Sequence, residues 1–349
     1  MRFPGLEQPV VQAPMAGGPS TPALAAAVSS AGGLGFLAGA YRPVEKLRED
    51  VAAVRRLTER PFGLNLFWIE ETPVDEAALA AFAELLAPEA ARLGVAPGEP
   101  RFENDALEAK LELAVAERVP VVSFTFACPS REAVERLHGA GSAVWAMVTE
   151  VEEARAAAAA GVDALVVQGV EAGGHRGSFA DEDGVGETGL LALLRLVARA
   201  VDLPLVAAGG IGDGAGVAAV LAAGARAAQI GTAFLRCPEA GTSAPHREAL
   251  ARPGRTALTR AFSGRRARAI ENGWTRRHAG APSAYPQLQH VTGPLRAAAR
   301  AAADAEATAL WAGQAFPLAE ELPAGELVRR LGADARAALE DARRRLGRG

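Results

Sequence analysis

A chain of 349 residues that is 50% hydrophobic has enough apolar surface to bury a large core. Its net charge of −4 and pI near 5.9 argue against a general nucleic-acid surface. Cys128 and Cys237 are isolated from each other and from histidine clusters, so neither a disulfide framework nor a structural metal site is expected. No basic-then-apolar leader and no window of ~18 uncharged apolar residues is present, so the chain reads as cytoplasmic, without a membrane partner.

Taken in order, Val10 to Met15 reads as a first strand opening into Ala16-Gly17-Gly18. Ser20 or Thr21 can cap the helix Ala23 to Ala31, with Pro22 early in it and Gly32-Gly33 closing it. Leu34 to Ala40 is a second strand, Pro43 to Arg60 a charged helix, and Phe62 to Phe67 a third strand carrying Asn65. The stretch from Trp68 to Glu103 is rich in Pro, Ala and Glu; it exceeds an ordinary connection and reads as a partly helical insertion. A helix at Asn104 to Arg118 and a strand at Val121 to Phe126 follow, then a helix at Ser130 to His138 and a strand at Ala143 to Val148. The helix Glu150 to Ala160 ends at Gly161, and Ala164 to Gln168 is a sixth, buried strand. Gly189 to Ala200 is helical, Leu203 to Gly210 a seventh strand, Asp213 to Ala223 a helix and Ala227 to Leu235 an eighth strand. Beyond Arg236 the pattern changes: Arg252 to Trp274 is rich in Arg and Gly, Ala281 to Pro286 is a loop, and Pro294 to Trp311 and Leu322 to Leu346 read as helices.

Eight strand–helix alternations within about 235 residues fit a TIM (β/α)8 barrel, which typically uses ~250 residues. The expected organisation is therefore a barrel over residues 1–236, with the insertion at 68–103, and a loop-and-helix region over 237–349 that packs on it and covers the site. A doubly wound sheet is the rival, but it would place a phosphate loop after the first strand, where none occurs.

In a barrel, strand C-terminal ends converge on one face. Here they bring Met15, Asn65, Thr125, Gln168, Gly209-Gly210 and Gly231-Thr232. The glycines after strands seven and eight sit where barrels bind phosphate through backbone N–H groups, which predicts a phosphorylated ligand. The loop after strand six, Gly169 to Gly177, presents His175 between glycines and reads as a flexible carrier of chemistry. Other readings fail by inspection: there is no GxxxxGK[ST] and no HExxH. Lys46 and Lys110, the only lysines, fall on outer helices and suit no Schiff base. Asp181, Glu182 and Asp183 read as a solvated acidic turn, the two cysteines as small apolar fillers, and His138, His246, His278 and His290 as surface or structural groups.

Together these residues resemble the nitronate monooxygenase family, once called 2-nitropropane dioxygenases. The resemblance covers most of the chain, and its landmarks are Gln12 to Gly18 (QAPMAGG), Asn65 in FGLNLF, Gln168 to Gly177 (QGVEAGGHRG), Ala207 to Ile211 (AAGGI), Gln229 to Phe234 (QIGTAF) and Leu310 to Gln314 (LWAGQ). The pairing of EAGGHRG with APMAGG is specific, whereas AAGGI and GTAF occur in several phosphate-binding barrels.

The resemblance implies an FMN-dependent oxidoreductase that converts alkyl nitronates, with nitroalkanes as a second substrate class, with O2 to a carbonyl compound and nitrite. It places Ala13, Pro14 and Met15 near the flavin ring, Asn65 and Gln168 in hydrogen bonds around it, and Gly173, Gly174, Gly209, Gly210, Gly231 and Thr232 at its phosphate. Gln229 belongs to the same implied cofactor-binding set. His175 would stand at the reactive edge, stabilising an anionic substrate when protonated or taking an α-proton when neutral. The resemblance implies no metal, and a monomer or homodimer. Two features depart from the family pattern. Thr125 occupies a place where many relatives carry histidine. The late loop has Tyr285 but no lysine, so either anion binding there falls to an arginine or to His290, or the substrate differs. Two other functions stay open: an NAD(P)H-dependent FMN reductase of quinones or enoyl thioesters, and a non-catalytic barrel that binds a phosphorylated metabolite.

Overall fold

Short apolar runs, nearly all buried, become the eight parallel strands of one sheet in a computed structural model that describes residues 3–347. The first half of the chain folds as β1 (Val10–Gln12), α1 (Pro22–Ser30), β2 (Phe36–Ala38), α2 (Val44–Leu57) and β3 (Gly63–Phe67). The insertion supplies α3 (Glu76–Leu85) and α4 (Ala87–Leu93), and α5 (Leu107–Ala116) leads to β4 (Val121–Thr125). Then come α6 (Arg131–Gly139), β5 (Ala143–Val148), α7 (Val151–Ala160) and β6 (Ala164–Gln168). A two-residue strand β7 (Gly174–His175) precedes α8 (Leu190–Ala200), β8 (Leu205–Ala208), α9 (Gly214–Ala222) and β9 (Ala227–Ile230). The remainder forms α10 (Ala244–Leu250), β10 (Thr256–Thr259), β11 (Ala267–Ile270), α11 (Gly273–Arg277), α12 (Gln287–Ala301) and α13 (Ala324–Leu346).

The large sheet runs β1-β9-β8-β6-β5-β4-β3-β2, every neighbouring pair parallel. Its two edges meet. Gln12 N donates to Leu34 O at 2.9 Å and Leu34 N to Val10 O at 3.0 Å, while the buried Gln12 Oε1 accepts from Phe36 N at 2.9 Å. This closes the sheet into the TIM barrel that the strand–helix alternation predicts, and closure leaves no exposed edge. The strand period of two sends Val11, Phe36, Trp145, Val166 and Val206 into the barrel interior, where Phe3 stacks on Trp145 at 5.3 Å. Leu37, Leu64, Val122, Val144, Leu165 and Ala207 face outward against the helices.

Local chemistry explains most boundaries. Thr21 caps α1 by accepting from Leu24 N at 3.0 Å, with Pro22 in the first turn. The expected strand Ala227–Leu235 stops at Ile230, because Gly231 turns the chain and Thr232–Arg236 coil into a 3-10 helix. The expected helix Pro294–Trp311 is displaced towards the N-terminus. α12 holds Pro294 inside it, and in this turn Gly98 N donates to Val291 O at 2.9 Å. Residues 302–311 leave the helix, and Trp311 bridges to Ala269. The Arg- and Gly-rich stretch contains the β10–β11 hairpin, which periodicity does not reveal, and β7 joins β11 as a third antiparallel strand. His175 therefore sits in a paired strand rather than in a flexible loop. Among the described residues no helix is long and apolar enough to cross a membrane, and no group of three or more His, Cys, Asp or Glu side chains is placed to hold a metal ion.

Closing the barrel demands tight backbone packing beside β2. A Cβ placed on Gly35 would lie 2.1 Å from Ala25 O and 2.5 Å from Ala25 Cα, backbone that cannot yield without shifting α1. Gly35→Ala should therefore lower stability by about 1–3 kcal/mol, read from chemical denaturation; an unchanged midpoint would show that α1 slides freely on the sheet.

Candidate active site

At the C-terminal ends of the barrel strands lies a cavity of about 540 Å³, inside the ~300–1,000 Å³ range of small-molecule and cofactor sites. All thirteen residues singled out in the sequence line it: Ala13, Pro14, Met15, Asn65, Gln168, Gly173, Gly174, His175, Gly209, Gly210, Gln229, Gly231 and Thr232. They come from the ends of β1, β3, β6, β8 and β9 and from the loop that holds β7.

Each polar group has a definite task. Asn65 is buried on β3 and donates through Nδ2 to Ser123 Oγ at 2.9 Å and Thr125 Oγ1 at 3.0 Å. Thr125 thus orients Asn65, and the amide oxygen accepts no hydrogen bond among the described residues. Gln168 Nε2 donates to His175 O at 3.1 Å and its Oε1 accepts from Gly177 N at 2.9 Å, so this amide pins the loop that carries His175. One hydrogen of Nε2 is left over. The side chain of Gln229, 4% exposed, makes no hydrogen bond within the described residues, and its amide is available to whatever fills the cavity.

Beside the ends of β8 and β9, Gly209 and Gly210 hold φ of 110° and 68°, a left-handed conformation that favours glycine. Neither their N–H groups nor those of Gly231 and Thr232 donate to another group of the described protein. Four such donors at two neighbouring strand ends form a cradle for an anion. Gly173 has a different reason for being glycine. A Cβ there would lie 2.4 Å from Gly313 N and 2.5 Å from Ala312 C, because residues 310–314 lace across the loop. Gly313 N donates to Thr232 Oγ1 at 3.0 Å and Gln314 N to Glu171 O at 3.0 Å.

His175 occupies an aromatic frame. Trp311, Phe126, Tyr285 and Phe67 have ring centroids 5.5, 5.7, 5.8 and 6.4 Å from the imidazole. Nε2 lies 2.8 Å from Ser263 Oγ, while Nδ1 has no hydrogen-bond partner among the described residues. Burial, reinforced by the positive fields of Arg265 and Arg296, lowers the imidazole pKa to about 3. At neutral pH His175 is an uncharged hydrogen-bonding group. Arg265 stacks over Phe126 at 4.1 Å and donates to Ser178 O. Phe126 itself holds φ of 90°, rare for a bulky side chain, at the mouth of β4.

Several further wall residues have no role assigned to them from the sequence. Phe67, Tyr41, His246, Arg296, Arg300 and Trp311 line the cavity, and Ser263 orients His175 across 88 residues of chain. His246 is buried rather than a surface group: its Nε2 is 3.0 Å from Trp311 O, and burial lowers its pKa to about 4. His290 is not on this wall. It faces a second cavity of about 530 Å³ and lies 3.3 Å from Glu103. Asp181 is no solvated turn either, since its carboxylate accepts from Arg260 at 2.9 Å and Arg266 at 3.2 Å. No aspartate or glutamate lines the active-site cavity.

Comparison with known proteins points to one family. The family model described as nitronate monooxygenase matches residues 5–334. The nitronate monooxygenase of Pseudomonas aeruginosa is 46% identical over 342 residues, covering 95% of this chain and 97% of that protein. That of Paraburkholderia phytofirmans is 42% identical, covering 97% and 95%. Among solved structures, the nitroalkane oxidase from Streptomyces ansochromogenes superposes with a TM-score of 0.94 at 49% identity, covering 97% of this chain and 98% of that one. FabK from Thermotoga maritima is more distant, with a TM-score of 0.77 at 27% identity over 97% and 96% of the two chains. By sequence across nearly its whole length and by the shape of its barrel, the chain belongs to the nitronate monooxygenase family.

Proposed function

We propose that the cavity holds FMN and that the protein oxidises alkyl nitronates with O2 to a carbonyl compound and nitrite. The observation that carries this reading is the cavity's polarity. It has free backbone N–H groups at one end, an uncharged imidazole in an aromatic frame, and no carboxylate on its wall. Such a wall suits an anionic cofactor phosphate and an anionic substrate, and acidic residues there would repel both.

FMN would supply the electron chemistry, and the residues would hold and orient the reactants. Gly209, Gly210, Gly231 and Thr232 donate N–H groups to the phosphate. Gln229, Asn65 and the spare Gln168 hydrogen would hold the polar groups of the ring system, with Ala13, Pro14 and Met15 beside it. His175 presents Nδ1 to substrate, with Nε2 anchored on Ser263. In its neutral form the ring accepts an α-proton or donates a hydrogen bond. The aromatic frame keeps water from the reacting carbon. The protein works in the cytoplasm as a monomer or homodimer.

An absorbance spectrum of the purified protein, followed by anaerobic propyl nitronate and then air, tests the whole reading. Flavin bands, their reduction by nitronate and nitrite on reoxidation are expected. Bleaching by NADPH with no response to nitronate would favour the reductase, and a protein that cannot be reconstituted with FMN would overturn the flavin site.

Three variants and titrations probe the parts. His175→Ala should keep FMN yet lose about 10²–10⁴-fold in turnover; full activity on nitronate would remove His175 from the chemistry. A Cβ on Gly231 meets nothing nearer than Ala13 Cβ at 3.5 Å and Met15 Sδ at 3.7 Å, so Gly231→Val should fold normally while weakening FMN binding, measured by flavin titration. Below pH 6.5 the unfolded chain takes up protons that folded His175 and His246 refuse, with pKa values of about 3 and about 4. Stability should therefore be full above pH 6.5 and fall with acidification, by roughly 2 kcal/mol per histidine at pH 5. Denaturation midpoints against pH, with imidazole NMR shifts, report both effects.

A further inference from the structure

If the substrate is an anion, some group must hold its charge, and His175 is uncharged in the folded protein. Cations that line either cavity are mostly already paired. Arg42 lies 2.7 Å from Asp50, Lys110 2.7 Å from Asp105, and both Arg101 and His290 meet Glu103, at 3.6 and 3.3 Å. Arg296 differs. It stands on the partition between the two cavities, on the face of α12. Its Nε donates to Thr292 Oγ1 at 3.1 Å and its Nη2 to Gln289 O at 3.0 Å, both within its own helix. No carboxylate pairs with it among the described residues, and Nη1 has no protein partner. Two helix contacts fix the guanidinium plane and leave one edge free for a ligand, in the fork geometry that suits a two-oxygen anion. Arg300, one turn on, is exposed and likewise unpaired, adding positive potential at the rim. The late lysine-free segment thus carries a fixed positive charge of another kind.

We propose that Arg296 is a specificity-determining residue that binds the two oxygens of the substrate's nitronate group from the α12 side of the cavity, so that the enzyme favours the anion over the neutral nitroalkane. The proposal rests on the nitronate reading above. No proton moves at Arg296. It orients the anion towards His175 and supplies the counter-charge, and it remains protonated at neutral pH although burial brings its pKa down to about 10.

The test uses the FMN-loaded protein, with nitrite as the probe anion. Arg296→Met should raise KM for propyl nitronate by about 10–100-fold while changing kcat and the parameters for neutral nitroethane much less, and should weaken nitrite binding by calorimetry to a similar degree. Arg296→Lys should restore part of both. FMN affinity should be unaltered in each variant, because the cradle consists of backbone N–H groups at the ends of β8 and β9 and Arg296 belongs to α12. Unchanged KM and unchanged nitrite affinity in a yellow Arg296→Met protein would overturn the assignment. Should the variants not fold, the wild-type protein still decides. Nitrite affinity that is flat from pH 6 to 8.5 supports an arginine site, and affinity lost through pH 6–7 would put the charge on a histidine instead. A wild-type protein that binds FMN but gives no nitrite from nitronate overturns the function and not the anion site, since calorimetry reads that site directly.

Discussion

The site depends on arginine side chains that hold the carbonyl groups of one loop. Between β6 and α8 the chain runs about twenty residues with only β7 as regular structure, and glycine supplies little packing of its own. Arg176, 1% exposed, donates to Gly169 O, Gln168 O and Gly186 O at 2.7–2.9 Å. Arg268 reaches Val170 O at 2.8 Å, Arg266 reaches Val185 O at 2.7 Å, and Arg260 and Arg266 share Asp181. A guanidinium has five donors in a rigid plane, so one side chain satisfies several carbonyls that would otherwise lie buried and unpaired. A lysine ammonium cannot span them in the same way, which gives a physical reason for arginine on this loop.

That arrangement has an electrostatic consequence. Arg176 holds its position without a carboxylate, burial lowers its pKa to about 10, and Arg265 and Arg296 add their fields nearby. The imidazole of His175 is kept neutral first by its burial and then by the fields of Arg265 and Arg296. Two kinds of donor able to meet an anion therefore face the cavity: uncharged backbone N–H groups at the ends of β8 and β9, and a guanidinium on α12. Backbone donors favour an anion that remains bound, because their geometry is fixed by the barrel. A side chain anchored on its own helix suits an anion that comes and goes.

The C-terminal region completes the cavity rather than merely lying over it. β11 accepts β7 as a strand, Trp311 closes the aromatic frame around His175, and Gly313 ties the segment to Thr232. Gly173 is small because that segment passes across it. The same glycine-rich sequence thus answers two constraints, close approach of chain to chain at Gly173 and a left-handed turn at Gly209-Gly210.

The amino-acid sequence by itself determined the barrel, because strand and helix periods are local and repeat along the chain. It also marked the strand-end groups that meet in the cavity, since in a parallel barrel every strand's C-terminal end faces one side. Its motifs sufficed for the family. Tertiary structure alone decided how His175 is held, since its partners Ser263, Trp311 and Tyr285 come from more than 85 residues away, beyond the reach of any periodic signal. It decided that Asp181 is an anchor for arginines, that His246 is buried and that α12 begins before Pro294. It also turned the absence of a late lysine into the presence of Arg296, whose charge matters only because the fold leaves it unpaired on a cavity wall. Charge state, pairing and orientation are properties of neighbours in space, and the chain acquires those neighbours only when the barrel has closed.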